Sequence, residues 1–165
     1  MNSHDSQSSP EERGSARLKL RALDEADLEV CSAVLQEAVV KIGDLTFLPS
    51  ARRVVVLFNR FCWESVDDSL CRVRTGMHIE NVLRAQTRDI AQTDPNAALV
   101  LLAMRYLENT NGNGIIELIF SDGGIMRLEV ECIDIYLDDV SSPWSVDASP
   151  GSAMRQGDTQ SDADA

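Results

Sequence analysis

Arg53-Val54-Val55-Val56-Leu57-Phe58-Asn59-Arg60-Phe61-Cys62-Trp63 is the longest strand-like run in the chain. Val54 to Phe58 are apolar on both faces, which marks a strand in the middle of a sheet rather than at its edge. Asn59 and Arg60 then fall on opposite faces. An isolated charge inside a sheet costs several kcal/mol to desolvate, so a buried guanidinium must be paired. Arg60 is therefore expected either to meet an acidic side chain and fix strand register, or to face a cleft and hold an anion.

Working outward, Pro49-Ser50-Ala51-Arg52 reads as a turn and Ser65 to Ser69 as a polar loop. From Cys71 the pattern alternates. Cys71, Val73, Met77 and Ile79 share one side, and Arg72, Arg74, His78 and Glu80 the other. Towards the N-terminus, Arg17 to Leu23 alternates as a half-buried strand. Asp24 can then cap a helix whose face carries Leu28, Cys31, Leu35 and Ala38. Val39 to Phe47 follows as a strand through Gly43-Asp44.

Asp94-Pro95 has the form of a helix start, which leaves Ala98 to Leu107 open to helix or strand. The turn cluster Asn109 to Gly114 favours a strand, because it leads straight into Ile115 to Phe120. Ser121 to Gly124 closes that segment as a hairpin onto Ile125 to Val130. Ile133, Tyr136, Leu137 and Val140 recur at helical spacing, so a C-terminal helix is expected, ending before Pro143. The expected fold is α+β: a strand-rich antiparallel sheet or roll with one helix in its first half and another at its end. That order resembles a pleckstrin-homology-like roll, a likeness of fold that carries no function.

The 165 residues suit one domain, expected over 17–144. Residues 1–16 and 145–165 are rich in Ser, Asp, Glu, Gly and Gln and offer little to bury, so both are expected to be disordered tails. The net charge is −12, and subtracting −2 for 1–16 and −3 for 144–165 leaves −7 on the core. An acidic domain argues against nucleic acid and anionic membrane as partners. No apolar run reaches the roughly 18 residues of a membrane span, and Met1 to Ser9 lacks the layout of an export signal. A cytoplasmic location is expected, with Cys31, Cys62, Cys71 and Cys132 as reduced thiols. Their spacing contains no Cys-x-x-Cys pair, which argues against zinc.

Residues 51–90 carry seven arginines against five acidic residues, a balance of +2 in a domain otherwise at −9. Arg72, Arg74 and His78 share a strand face, which is either a solvated face or a modest anion-binding surface, and Trp63 reads as a core or rim aromatic. Glu129 and Glu131 share a strand side, about 7 Å apart at the usual rise, and are expected to face solvent. His78 has no nucleophile in recognisable context, and the glycines at 112–114 and 122–124 sit in hairpin turns rather than phosphate loops.

Several phrases together resemble a bacterial, mainly alphaproteobacterial family, the domain-of-unknown-function family 2948. They are Leu23-Asp24 with Asp27-Leu28, Ser32 to Gln36, Gly43-Asp44-Leu45, Asn59-Arg60-Phe61-Cys62-Trp63-Glu64, Gly114 to Phe120, Leu128 to Ile133, and Pro143-Trp144. Met77-His78-Ile79 stands where the family would have Leu-His-Phe. The resemblance covers about residues 17–145 and supplies no active site. It implies a cytoplasmic bacterial protein.

The expected function is a non-catalytic binding or interaction domain, with no catalytic residue, metal or cofactor. Its partner, expected to be a protein, would meet a surface near Arg60, Trp63, Arg72, Arg74 and His78. The alternative is a small anionic ligand or an enzyme, using Arg60 with Glu64, His78 or Glu131 as acid–base groups. Nothing in the pattern sets an oligomeric state.

Overall fold

The computed structural model describes residues 17–63, 70–110 and 112–146. The expected tails, apart from Ser145 and Val146, and the expected loop at 65–69 lie outside the described residues. Ten strands and one α-helix occur among the described residues. Strand β1 (Lys19–Ala22) leads into helix α1 (Glu25–Val34), where Asp24 caps the first turn by accepting from the Asp27 amide at 2.8 Å. Leu28 and Cys31 are the buried residues of that helix.

The long strand β2 (Val39–Leu48) and β3 (Arg53–Phe61) form a hairpin around a 3-10 turn at Pro49–Ala51. Strand β4 (Cys71–Ile79) pairs with the whole of β3, from Val54 opposite Ile79 to Phe61 opposite Arg72. Next come β5 (Val82–Arg88) and β6 (Ala98–Glu108), so residues 98–108 are a strand. Asp94 Oδ1 accepts from the Asn96 amide at 3.0 Å, which makes Asp94-Pro95 a turn rather than a helix cap. The hairpin of β7 (Gly114–Phe120) and β8 (Ile125–Val130) stands as read from the sequence.

The expected C-terminal helix is a strand. Residues Ile135–Asp139 form β9, hydrogen-bonded between β1 and β4. Helical spacing was a coincidence there: Ile133, Ile135, Leu137 and Asp139 are all buried and follow the period of two. Tyr136 is half-buried on the other face, and Val140 is exposed. Without that helix the pleckstrin-homology-like reading loses the element that closes its sheet. The two-residue strand β10 (Trp144–Ser145) takes the stretch of β4 that β9 leaves free, at Cys71 and Arg72.

Strand order along the row is β1-β9-β4-β3-β2-β6-β7-β8-β5, and every pairing is antiparallel. The ladder pairing that joins the first five strands to the last four runs through Val39–Lys41 with Ala98–Val100. One buried cluster draws on both halves: Val54, Val56, Phe58, Met77 and Leu137 from one, Leu101, Ile116, Leu118, Phe120 and Leu128 from the other. The row therefore bends over a single core, with α1 packed on it through Leu28 and Cys31. Its far end is tied back where the Val82 amide donates to the Arg52 carbonyl at 2.8 Å.

Candidate functional site: an aromatic and arginine surface at the end of β3 and β4

At the end of β3 and β4 the sheet has two contrasting faces. The inner one carries Arg60, which is fully buried. Its Nε donates to Asp139 Oδ1 at 3.0 Å and its second terminal nitrogen to Asp139 Oδ2 at 2.7 Å. Thr75 Oγ accepts from Arg60 Nε at 3.1 Å and donates to Asp139 Oδ1 at 2.7 Å. The first terminal nitrogen of Arg60 reaches the Phe61 carbonyl at 2.9 Å, and the Leu18 amide donates to Asp139 Oδ2 at 2.8 Å. Burial alone would raise the Asp139 pKa. The hydrogen bonds from Arg60, Leu18 and Thr75 and the Arg60 charge outweigh it and hold the carboxyl below its ordinary value. The network joins β3, β4, β9 and the residue before β1, as a register-fixing pair should.

Cys62 and Cys71 extend the same face and form a disulfide across the strand pair, with Cα atoms 5.4 Å apart. This corrects the expectation of four reduced thiols. Cys31 and Cys132 are free, and the Cys31 thiol is pushed up to about 11 by burial and by the Asp27 charge. That leaves Cys31 a packing residue rather than a nucleophile.

On the outer face Phe61 is buried beneath its neighbours. The Arg72 guanidinium lies 4.2 Å above the Phe61 ring centroid, and the Trp63 ring packs against Phe61 at 5.4 Å with a 51° tilt. Trp144 stands opposite Arg72 in the register of β10 with β4. Both tryptophans face solvent, Trp63 53% and Trp144 40% exposed. Arg72 donates to the Asn59 carbonyl at 3.3 Å, and Arg74, exposed beside it, approaches Asn59 Oδ1 at 3.5 Å. Partial burial lowers the Arg72 pKa, yet a guanidinium remains charged at any physiological pH. The result is two exposed indoles around fixed cations, a combination of residue types common at protein interfaces.

A family model described as "Protein of unknown function (DUF2948)" matches residues 18–152, which takes in every strand from β1 to β10. The chain belongs to that family. No curated protein and no solved structure matches it.

Within this DUF2948 domain the predicted site residues divide into three places. Trp63, Arg72 and Arg74 come together on the outer face, where Phe61 and Trp144 join them. Arg60 lies on the inner face with Asp139. His78 is on the outer face of β4 but about 13 Å along the strand from Arg74, at the usual rise. There His78 Nδ1 meets Glu80 Oε1 at 2.8 Å, and its ring stacks on Tyr136 at 4.6 Å. Arg53 also binds Glu80, and Arg21 lies 4.8 Å from the Tyr136 ring centroid. Burial would raise the Glu80 pKa, but Arg53 and His78 outweigh it and hold the carboxyl low. Glu64 lies outside the described residues. Glu131 pairs with Arg52, on a different part of the molecule.

Sequence reasoning missed Phe61 as the platform beneath Arg72, Trp144 as its neighbour, and Asp139 as the Arg60 partner. The signals were present. Phe61 alternates onto the Asn59 face, and Asp139 is in step with Leu137 and Ile135.

Proposed function

We propose that this DUF2948 protein is a non-catalytic binding domain that engages an acidic protein segment at the surface formed by Trp63, Arg72, Arg74 and Trp144. The supporting observation is the arginine held over buried Phe61 between two solvent-facing tryptophans. Exposed indoles supply apolar contact area at small entropic cost, and the two guanidiniums favour partner carboxylates. The domain around them is acidic overall, so attraction for a negatively charged partner is confined to this local patch and acts at short range.

Trp63 and Trp144 are the only tryptophans in the chain, so its own tryptophan emission, after subtraction of the partner's, reports on this surface. A partner captured from native lysate and then purified should shift or quench that emission saturably. The change should vanish with Arg72→Glu/Arg74→Glu and persist with Arg88→Glu, an exposed change on β5 in the other half of the sheet. Equal responses from all three proteins would exclude the surface.

A further inference from the structure

Beyond that surface, the bend of the strand row leaves a second feature that it does not involve. After Lys41, β2 stops pairing with β6, and the Ile42 and Gly43 amides turn to the carbonyls of Ala97 and Pro95, each at 2.9 Å. Leu45 to Leu48 then pair with β3 alone, while β5 pairs only with β8. The released half of β2 and the edge strand β5 thus face each other without meeting. Between them lies a cavity of about 400 Å³. Leu45 and Phe47 form one wall, Ala85 the other, and Ile90, Leu99 and Met126 the floor and end. At its rim a Cβ on Gly43 would lie 3.0 Å from the Pro95 carbonyl oxygen, so Pro95 is packed directly on the β2 backbone.

The lining decides the chemistry. None of the residues around the cavity carries a charge. Side-chain polar capacity sits at one place, where Gln92 Nε2 donates to Thr87 Oγ at 2.9 Å, leaving the Gln92 carbonyl oxygen and the Thr87 hydroxyl hydrogen for a ligand. The volume falls within the roughly 300–1,000 Å³ of small-molecule pockets, and such pockets combine apolar walls with one or two convergent polar groups. The chain's own segments 1–16 and 147–165 are polar and acidic, a mismatch for this lining. We propose that the seam between β2 and β5 binds a small, neutral, largely apolar molecule carrying one hydrogen-bonding group, which meets Thr87 and Gln92.

The test uses the full chain and the neutral dye N-phenyl-1-naphthylamine, which has a single N–H. Its fluorescence should rise saturably at one dye per protein. Ala85→Phe, which fills the cavity from β5, should weaken binding by about tenfold or more, as should replacing the dye with its sulfonated anionic analogue. Arg72→Glu/Arg74→Glu should bind the dye as the parent does, which separates this site from the proposed partner surface. In the unmodified protein the Met126 methyl resonance should move on titration while that of Met77, on β4, stays in place. This readout stands even where Ala85→Phe disturbs folding. No saturable rise with Met126 unmoved would mean that the seam is closed in solution by another segment or a second copy, and would overturn the proposal. Equal binding of the sulfonate would overturn it too.

Discussion

Replacing Asp139 with Ala removes the carboxylate that grips Arg60 at 3.0 and 2.7 Å and accepts from Thr75 Oγ and the Leu18 amide. Because Arg60 is fully buried, water cannot restore what is lost. Removing one partner of a buried ion pair costs about 3–5 kcal/mol. Domains of this size are stable by about 5–15 kcal/mol, so the variant should lose about a fifth or more of its stability. At roughly 3–5 °C per kcal/mol, the melting temperature should fall by about 9–25 °C. Arg60→Met/Asp139→Leu removes both charges and should recover most of that loss, since apolar residues of similar volume often replace a buried pair at little cost. Urea denaturation of the parent, Asp139→Ala and the double variant measures all three. The pH dependence follows from the depressed Asp139 pKa. Its stabilisation is complete above the unfolded value of 3.8 and fades as pH falls through the lower folded value. The advantage of the parent over Asp139→Ala should therefore shrink only below about pH 4. A loss under about 1 kcal/mol for Asp139→Ala, or a double variant as unstable as the single one, would refute the register-pair account.

Further outcomes are expected elsewhere in the molecule. Thiol titration of the native protein should find Cys31 and Cys132 free, and reducing the Cys62–Cys71 bond should cost about 2–3 kcal/mol in chemical denaturation, the loop-closure value for a short loop. Four reactive thiols in the denatured, unreduced protein would contradict that pairing. Gly114→Ala places a methyl group inside the van der Waals envelope of the Tyr106 ring, and should destabilise by about 1–3 kcal/mol in the same assay. Arg72→Glu/Arg74→Glu removes the guanidinium that covers Phe61 and should lower the melting temperature by about 3–8 °C, leaving the protein folded, while abolishing partner binding.

Much of the frame was legible because local pattern and tertiary environment agreed. Val54, Val56 and Phe58 alternate inward on a central strand, Arg72, Arg74 and His78 share a face of β4, and Asp24 caps α1. Residues 133–140 misled because two periods coexist there. Tyr136 is apolar enough to complete a helical stripe, yet in the structure its ring lies outside, stacked on His78. Reading that stretch as a helix also hid Asp139 from the search for an Arg60 partner. Pairing of Cys62 with Cys71 depends on the register of β3 with β4, which follows from long-range contacts rather than from either strand alone. Trp144 reaches Arg72 only because β9 leaves β4 near Thr75 and β10 takes over, a change of strand that no local signal announces. The bend that opens the seam at Gly43 is likewise a property of the whole strand row.

The sharpest test compares what three folded proteins retain from one native lysate: the parent, Arg60→Met/Asp139→Leu, and Arg72→Glu/Arg74→Glu. If Arg60 serves the sheet and the outer arginines serve the partner, the first two will retain the same protein and the third will lose it. Retention by the third, or loss by a correctly folded Arg60→Met/Asp139→Leu, would contradict that division of labour.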